Sequence, residues 1–112
     1  MTNYRFGDVI LVPFPFTNQA TTKKWPAIIV SSEVYHAAKA DVILIAVTSQ
    51  LANSSDFGES AILEWQSAGL LKPSIVKPIL ATLEVSLVIR TLGHLQEGDR
   101  QTLRTVLTAI LG

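Results

Sequence analysis

The sequence contains no cysteine, which excludes a disulfide framework, a thiolate metal ligand and a thiol nucleophile together, and fits a reducing cytoplasm. Charge is scarce as well: charged residues make up 16% of the chain, against about 25% in an average globular protein. A surface this poor in charge suits being covered, and we read it as the mark of an oligomer. The charges present balance, with 9 Lys and Arg against 9 Asp and Glu. A histone-like or polybasic nucleic-acid binder is therefore excluded, and any basic footprint has to be local. Long apolar runs are missing too. The stretch from Val42 to Val47 is far too short to span a bilayer, so no membrane partner is expected. The opening Met1-Thr2-Asn3-Tyr4-Arg5-Phe6 lacks the basic start and apolar stretch of a secretion signal, and a cytoplasmic location is expected.

Strong catalytic signatures are also absent. There is no Gly-rich phosphate loop followed by lysine, no His-x-x-x-His and no Gly-x-Ser-x-Gly. The acidic residues show no pair at metal-binding or glycosidase-like spacing, so no metal site is argued. His36 and His94 lie far apart and read as exposed or capping side chains rather than catalytic ones.

What is present is 112 residues, 48% of them hydrophobic, enough for one core and one domain over 1–112. The first half alternates short apolar runs with turn residues, the pattern of a small β-rich domain. Val9 to Val12, Pro26 to Val30, Asp41 to Val47, Ala61 to Leu63, Ser74 to Leu80 and Leu87 to Leu92 are the expected strands. Phe14 to Lys24 reads as a long loop, and loops of that length usually carry function or move. Residues 50 to 60 read as a second loop. Ser31 to Ala40 has room for one helical turn at most, and Thr82 to Ser86 for a short turn. The period then changes: Leu103, Val106, Leu107, Ile110 and Leu111 fall on one face of a C-terminal helix. Asp99 and Gly112 are its expected caps.

Three clusters carry chemical interest. Lys23-Lys24 beside Trp25 combines cations that neutralise phosphate with an aromatic face that stacks on a base, against the plainer reading of a solvated loop end with Trp25 packed on the core. Thr48-Ser49 puts two hydroxyls where an apolar strand leaves the core, a place for a site or for a turn held by local hydrogen bonds. Lys77 sits in an apolar run and should face solvent, a groove or a partner charge.

The stretch Gly7-Asp8-Val9-Ile10-Leu11-Val12-Pro13-Phe14-Pro15-Phe16-Thr17 comes first in a longer pattern. Pro26-Ala27-Ile28-Ile29-Val30-Ser31, Val47-Thr48-Ser49, Lys72-Pro73-Ser74 with Val76-Lys77, and Leu92-Gly93-His94-Leu95 follow in order. Taken together, from about residue 6 to the C-terminal helix, the pattern resembles the MazF/PemK family of toxin endoribonucleases. The resemblance implies a mainly β fold, a small SH3-like barrel of MazF/PemK/CcdB type with a C-terminal helix and one or two short helical turns. It also implies a homodimer that forms an RNA groove and a cognate antitoxin that occupies it. The implied activity is that of a type II toxin–antitoxin mRNA interferase. Such an enzyme cuts single-stranded RNA at a short sequence by attack of the ribose 2′-hydroxyl on the adjacent phosphate, without metal or cofactor.

In that family an arginine just before the proline of the second strand and a threonine after the third strand are given acid–base roles. Thr48 matches the threonine, whereas Trp25 occupies the arginine position. Indole carries no charge and exchanges no proton at neutral pH. The cation is therefore expected from Lys23 or Lys24. Alternation along an extended chain favours Lys23, which shares the face of Trp25, although lysine lacks the forked grip of arginine on phosphate. The resemblance further assigns Trp25, Ser49, Ser74, Lys77, Phe16 and Thr17 to RNA binding. Two alternatives accompany this reading: a catalytically weakened member that binds RNA without cutting it, and a non-catalytic topoisomerase-inhibiting toxin on the same barrel.

Overall fold

The computed structural model describes residues 3–13, 23–49 and 56–112. Phe16 and Thr17 lie outside them. Six strands form one antiparallel sheet: β1 (Asp8–Pro13), β2 (Lys24–Ile29), β3 (Asp41–Thr48), β4 (Ser60–Ile62), β5 (Ser74–Glu84) and β6 (Arg90–His94). Two helices, α1 (Glu33–Ala38) and α2 (Glu97–Leu111), complete the chain. The strand order is β4-β5-β3-β2-β1-β6, and the sheet curls into a half-barrel with β4 and β6 at its two edges.

The curl has identifiable causes. Opposite β3 the register of β5 slips between Ile45 and Ala46, whose partners are Leu80 and Lys77, so Pro78 and Ile79 form a bulge. Proline has no N–H to give a ladder, and a bulge is where a sheet tolerates it while gaining bend and twist. A second slip, between Val9 and Ile10, leaves Leu92 of β6 between the partners Gly93 and Thr91. Near it the turn that follows β4 meets β6 backbone to backbone. A Cβ at Gly69, where φ is +88°, would lie 2.1 Å from the Leu92 carbonyl oxygen, and one at Gly93 would lie 2.5 Å from the Ala68 carbonyl oxygen. Only glycine fits at either position.

Strand alternation divides the buried side chains into two groups. Val9, Ile28, Ile45, Val47 and Val76 pack with Leu95 and with Leu103 of α2, while Ile10, Val12, Ala27, Ile29, Leu44 and Ala46 form the other group. Along each of β1, β2 and β3 the two sets take alternate positions, as a pleat requires when both faces are covered.

Several boundaries differ from those the sequence suggests. The strand expected to stop at Leu80 runs to Glu84, because half-buried Ala81 and Leu83 alternate with exposed Thr82 and Glu84 and pair with β3 throughout. The turn follows instead at Val85–Leu87, and β6 begins at Arg90 rather than Leu87. Helix α1 is longer than a single turn, since the Ser32 side chain accepts from the Tyr35 N–H and caps it. Gly112 closes α2 as expected, its N–H bonding the Thr108 carbonyl. Asp99 does not cap that helix, for Gln96 holds the N-cap position. Its buried carboxylate instead accepts the N–H groups of Leu63 (3.0 Å) and Glu64 (2.9 Å), tying the turn after β4 to α2. Leu111 is 66% exposed, so the apolar face of α2 ends at half-buried Ile110, one residue earlier than its periodicity suggests.

His36 is a further correction: it is 2% exposed rather than solvated. Its Nδ1 lies 2.8 Å from the Tyr4 carbonyl, which only accepts, so Nδ1 donates. Nε2, 2.6 Å from Ser31 Oγ, then accepts the hydroxyl proton, and the same Oγ accepts the Ile43 N–H. His36 is thus a satisfied core residue that fastens α1 to the strands. His94 is exposed, as expected.

Candidate functional site: a cationic cleft at the strand ends

A cleft of about 490 Å³ opens where β3 ends and β2 begins, beside the Gly69–Gly93 seam. Its floor is apolar, formed by Leu11, Pro26, Val47, Leu70 and Leu92. Around this floor stand the hydroxyl residues Thr48, Ser49 and Ser74 and the cations Lys24, Lys72 and Arg90. Trp25 lines the cleft as well, and among the described residues no carboxylate does. Three positive charges converging without a described counter-charge, in a chain of zero net charge, make this a local basic footprint of the kind the composition allows.

Register explains the convergence. Leu11 pairs with Pro26 on one side and with Arg90 on the other, so the three stand in one row across β2, β1 and β6 and point to the same face. Lys24, two positions before Pro26, shares that face by alternation. Trp25 falls between them and packs, half-buried, against the second core group. Of the two neighbouring lysines, Lys24 therefore lines the cleft, while Lys23 precedes β2, is exposed and is absent from the lining. The expectation that Lys23 is the better placed assumed a wall built on the Trp25 face; the wall is mainly the Lys24 and Pro26 face.

Thr48, the last residue of β3, pairs with Ile75, which brings it next to Ser74 at the start of β5. Ser74 is buried and its hydroxyl donates to the Lys72 carbonyl (2.8 Å), which shapes the turn that carries Lys72. Lys77 lies outside the cleft lining. Its ammonium is 2.7 Å from Glu59, whose side chain is only 4% exposed, the partner charge that an apolar strand position calls for. Among the described residues no group of three or more His, Cys, Asp or Glu stands together to hold a metal. No helix of the described residues is long and apolar enough to cross a membrane.

Two cleft cations, Lys72 and Arg90, are not singled out by the sequence. Lys72 opens the Lys72-Pro73-Ser74 pattern and Arg90 precedes Leu92-Gly93-His94-Leu95, but linear order does not tell which face either occupies.

The PemK-like, MazF-like toxins of type II toxin–antitoxin systems match residues 5–111. The chain belongs to this family. No curated protein matches it in sequence. Among solved structures it is similar to a mycobacterial endoribonuclease in complex with its cognate antitoxin, with TM-score 0.79 and 18% identity over 97% of this chain and 95% of that one. The Mycobacterium tuberculosis toxin MazF-mt6 is similar with TM-score 0.73 and 19% identity, covering 92% and 95% of the two chains. The MazE–MazF structure of Deinococcus radiodurans gives 0.71 and 18%, covering 99% and 98%. These likenesses establish a MazF-type fold along nearly the whole chain, and in this toxin the cleft at the strand ends gathers three cations without a described carboxylate, whereas the concavity of Arg5, Arg100 and Arg104 also holds Asp8 and Glu33.

Proposed function

We propose that this MazF/PemK-family toxin is an endoribonuclease that cuts single-stranded RNA in the cleft of Lys24, Thr48, Ser49, Ser74 and Trp25. The observation that carries this reading is a concave site with three cations, three hydroxyl residues and no carboxylate. Such a lining repels no phosphate and concentrates positive charge where a phosphodiester is to become pentavalent. In the reaction the ribose 2′-oxygen bonds to phosphorus and the bond from phosphorus to the 5′-oxygen breaks, leaving a 2′,3′-cyclic phosphate and a 5′-hydroxyl. The 2′-hydroxyl proton passes to water. The Lys24 ammonium protonates the departing 5′-oxygen and regains its proton from solvent. Thr48 orients the phosphate, and the indole of Trp25 offers a stacking face to a neighbouring base. The protein cations supply the charge, so the reaction runs without a metal.

The named associations of the structural neighbours support a cognate antitoxin as protein partner, one being bound to an antitoxin and another being a MazE–MazF structure. A homodimer is supported by exposed apolar side chains on and beside β5 and β6: Ile79, Leu80, Leu87 and Ile89. The testing experiment is incubation with a long unstructured RNA in excess EDTA, mapping new 5′ ends beside a Thr48→Ala control. Discrete cuts that vanish in the control are expected. Bound but uncut RNA would overturn the enzyme in favour of a binding-only member.

A further inference from the structure

The geometry points to Arg90 as the residue that grips the scissile phosphate, a role the sequence pattern leaves without an arginine at Trp25. This inference rests on the ribonuclease reading of the cleft. The chain has four arginines, and the other three are engaged: Arg5 with Glu33 (3.3 Å), Arg100 with Glu97 and the Leu95 carbonyl, and Arg104 over the Phe6 ring at 4.2 Å. Arg90 has no ion pair or side-chain hydrogen bond to any described residue, is exposed, and lines a cleft whose described walls carry no carboxylate. It is also the only guanidinium there.

Placement strengthens the argument. Arg90 opens β6 opposite Leu11, while Lys24 lies on β2 opposite Pro13. The two cations thus flank β1 from either side on one face, two strands apart, or about 10 Å across. Side chains of that length reach inward over the apolar floor and bracket a single phosphodiester. Their chemistry is complementary: a guanidinium stays charged and binds two phosphate oxygens through its fork, whereas an ammonium is a point charge able to yield a proton. Arg90 accordingly holds the two non-bridging oxygens as charge builds on them, and Lys24 attends the leaving oxygen. Position 25 is then free to carry an indole, because the guanidinium enters from the opposite wall.

The test uses an oligonucleotide spanning a mapped cut, in EDTA, under single-turnover conditions, with wild type, Arg90→Lys and Arg90→Gln, and the same sequence with a 2′-deoxyribose at the cut for binding. Arg90→Gln is expected to melt at the wild-type temperature and to cut about 100-fold more slowly. Arg90→Lys, which keeps charge but loses the fork, falls between. If wild type cuts and Arg90→Gln cuts at the same rate, the role of Arg90 is overturned and the ribonuclease reading stands. If wild type cuts nothing, the ribonuclease reading fails, and Arg90 is judged on binding alone. Weaker binding of the 2′-deoxy strand by Arg90→Gln, with a salt slope reduced by about 1, keeps Arg90 as a phosphate ligand, and unchanged binding removes it. Should Arg90→Gln melt lower than wild type, Arg90→Lys decides by the same rates.

Discussion

The cationic cleft and the rest of the toxin handle charge in opposite ways. Outside the cleft, Lys77 is set against buried Glu59, Arg100 against Glu97, and the carboxylate of Asp99 against two backbone N–H groups. Inside it, Lys24, Lys72 and Arg90 face one cavity with no carboxylate among its described lining residues. Cations held together without counter-charges raise the energy of the empty site, and an anionic ligand recovers that energy on binding. The charges outside the cleft hold the fold together. Those inside it await a ligand.

Removing the seam that walls the cleft is expected to have the largest effect. Gly69→Ala forces a Cβ against the Leu92 carbonyl at a positive φ and should cost about 3 kcal/mol or more, measured by urea unfolding. Next come the internal charges. Lys77→Ala removes the ammonium that faces the Glu59 carboxylate and is expected to cost about 2 kcal/mol. Asp99→Ala, which orphans two N–H groups, should cost about 2 kcal/mol. The contrast between regions sharpens when two arginines are compared: Arg100→Gln should lower stability by about 1 kcal/mol with cleavage unchanged, whereas Arg90→Gln does the reverse. Equal effects of the two on cleavage would erase the distinction.

The smallest effect is a matter of pH. Hydrogen bonds from Gln101 and then Arg100 hold the Glu97 carboxyl below its usual value. With the folded-state value depressed, this contribution to stability is complete above the ordinary carboxylate range and disappears as pH falls through the lower folded value. The difference in melting temperature between wild type and Glu97→Gln should therefore shrink on acidification. A constant difference would show that the contacts act by packing alone.

Much of the fold is legible along the chain because strands and an amphipathic helix announce themselves by local period. All six strands and α2 fall near where the apolar runs place them, and the errors lie at ends and turns. The strand β5 runs past Leu80 because pairing with β3 outweighs the turn tendency of Thr82 and Glu84. Asp99 and His36 mislead for a related reason: each is polar, and each is buried because partners distant in sequence satisfy it.

The candidate site is legible only in part. The paired hydroxyls of Thr48 and Ser49 and the cluster around Trp25 stand out locally, and both line the cleft. The choice between Lys23 and Lys24, the pairing of Lys77 with Glu59, and the entry of Arg90 from β6 depend on which strands lie side by side.

By itself, then, the sequence determined the family, the strand and helix content, the absence of thiol chemistry and that any basic patch has to be local, since residue types and short-range periods carry that information. The tertiary structure alone decided which cations share a cavity and which are neutralised. Strand register and bulges set the facing of each side chain, and one residue of slip sends it to the opposite side of the sheet.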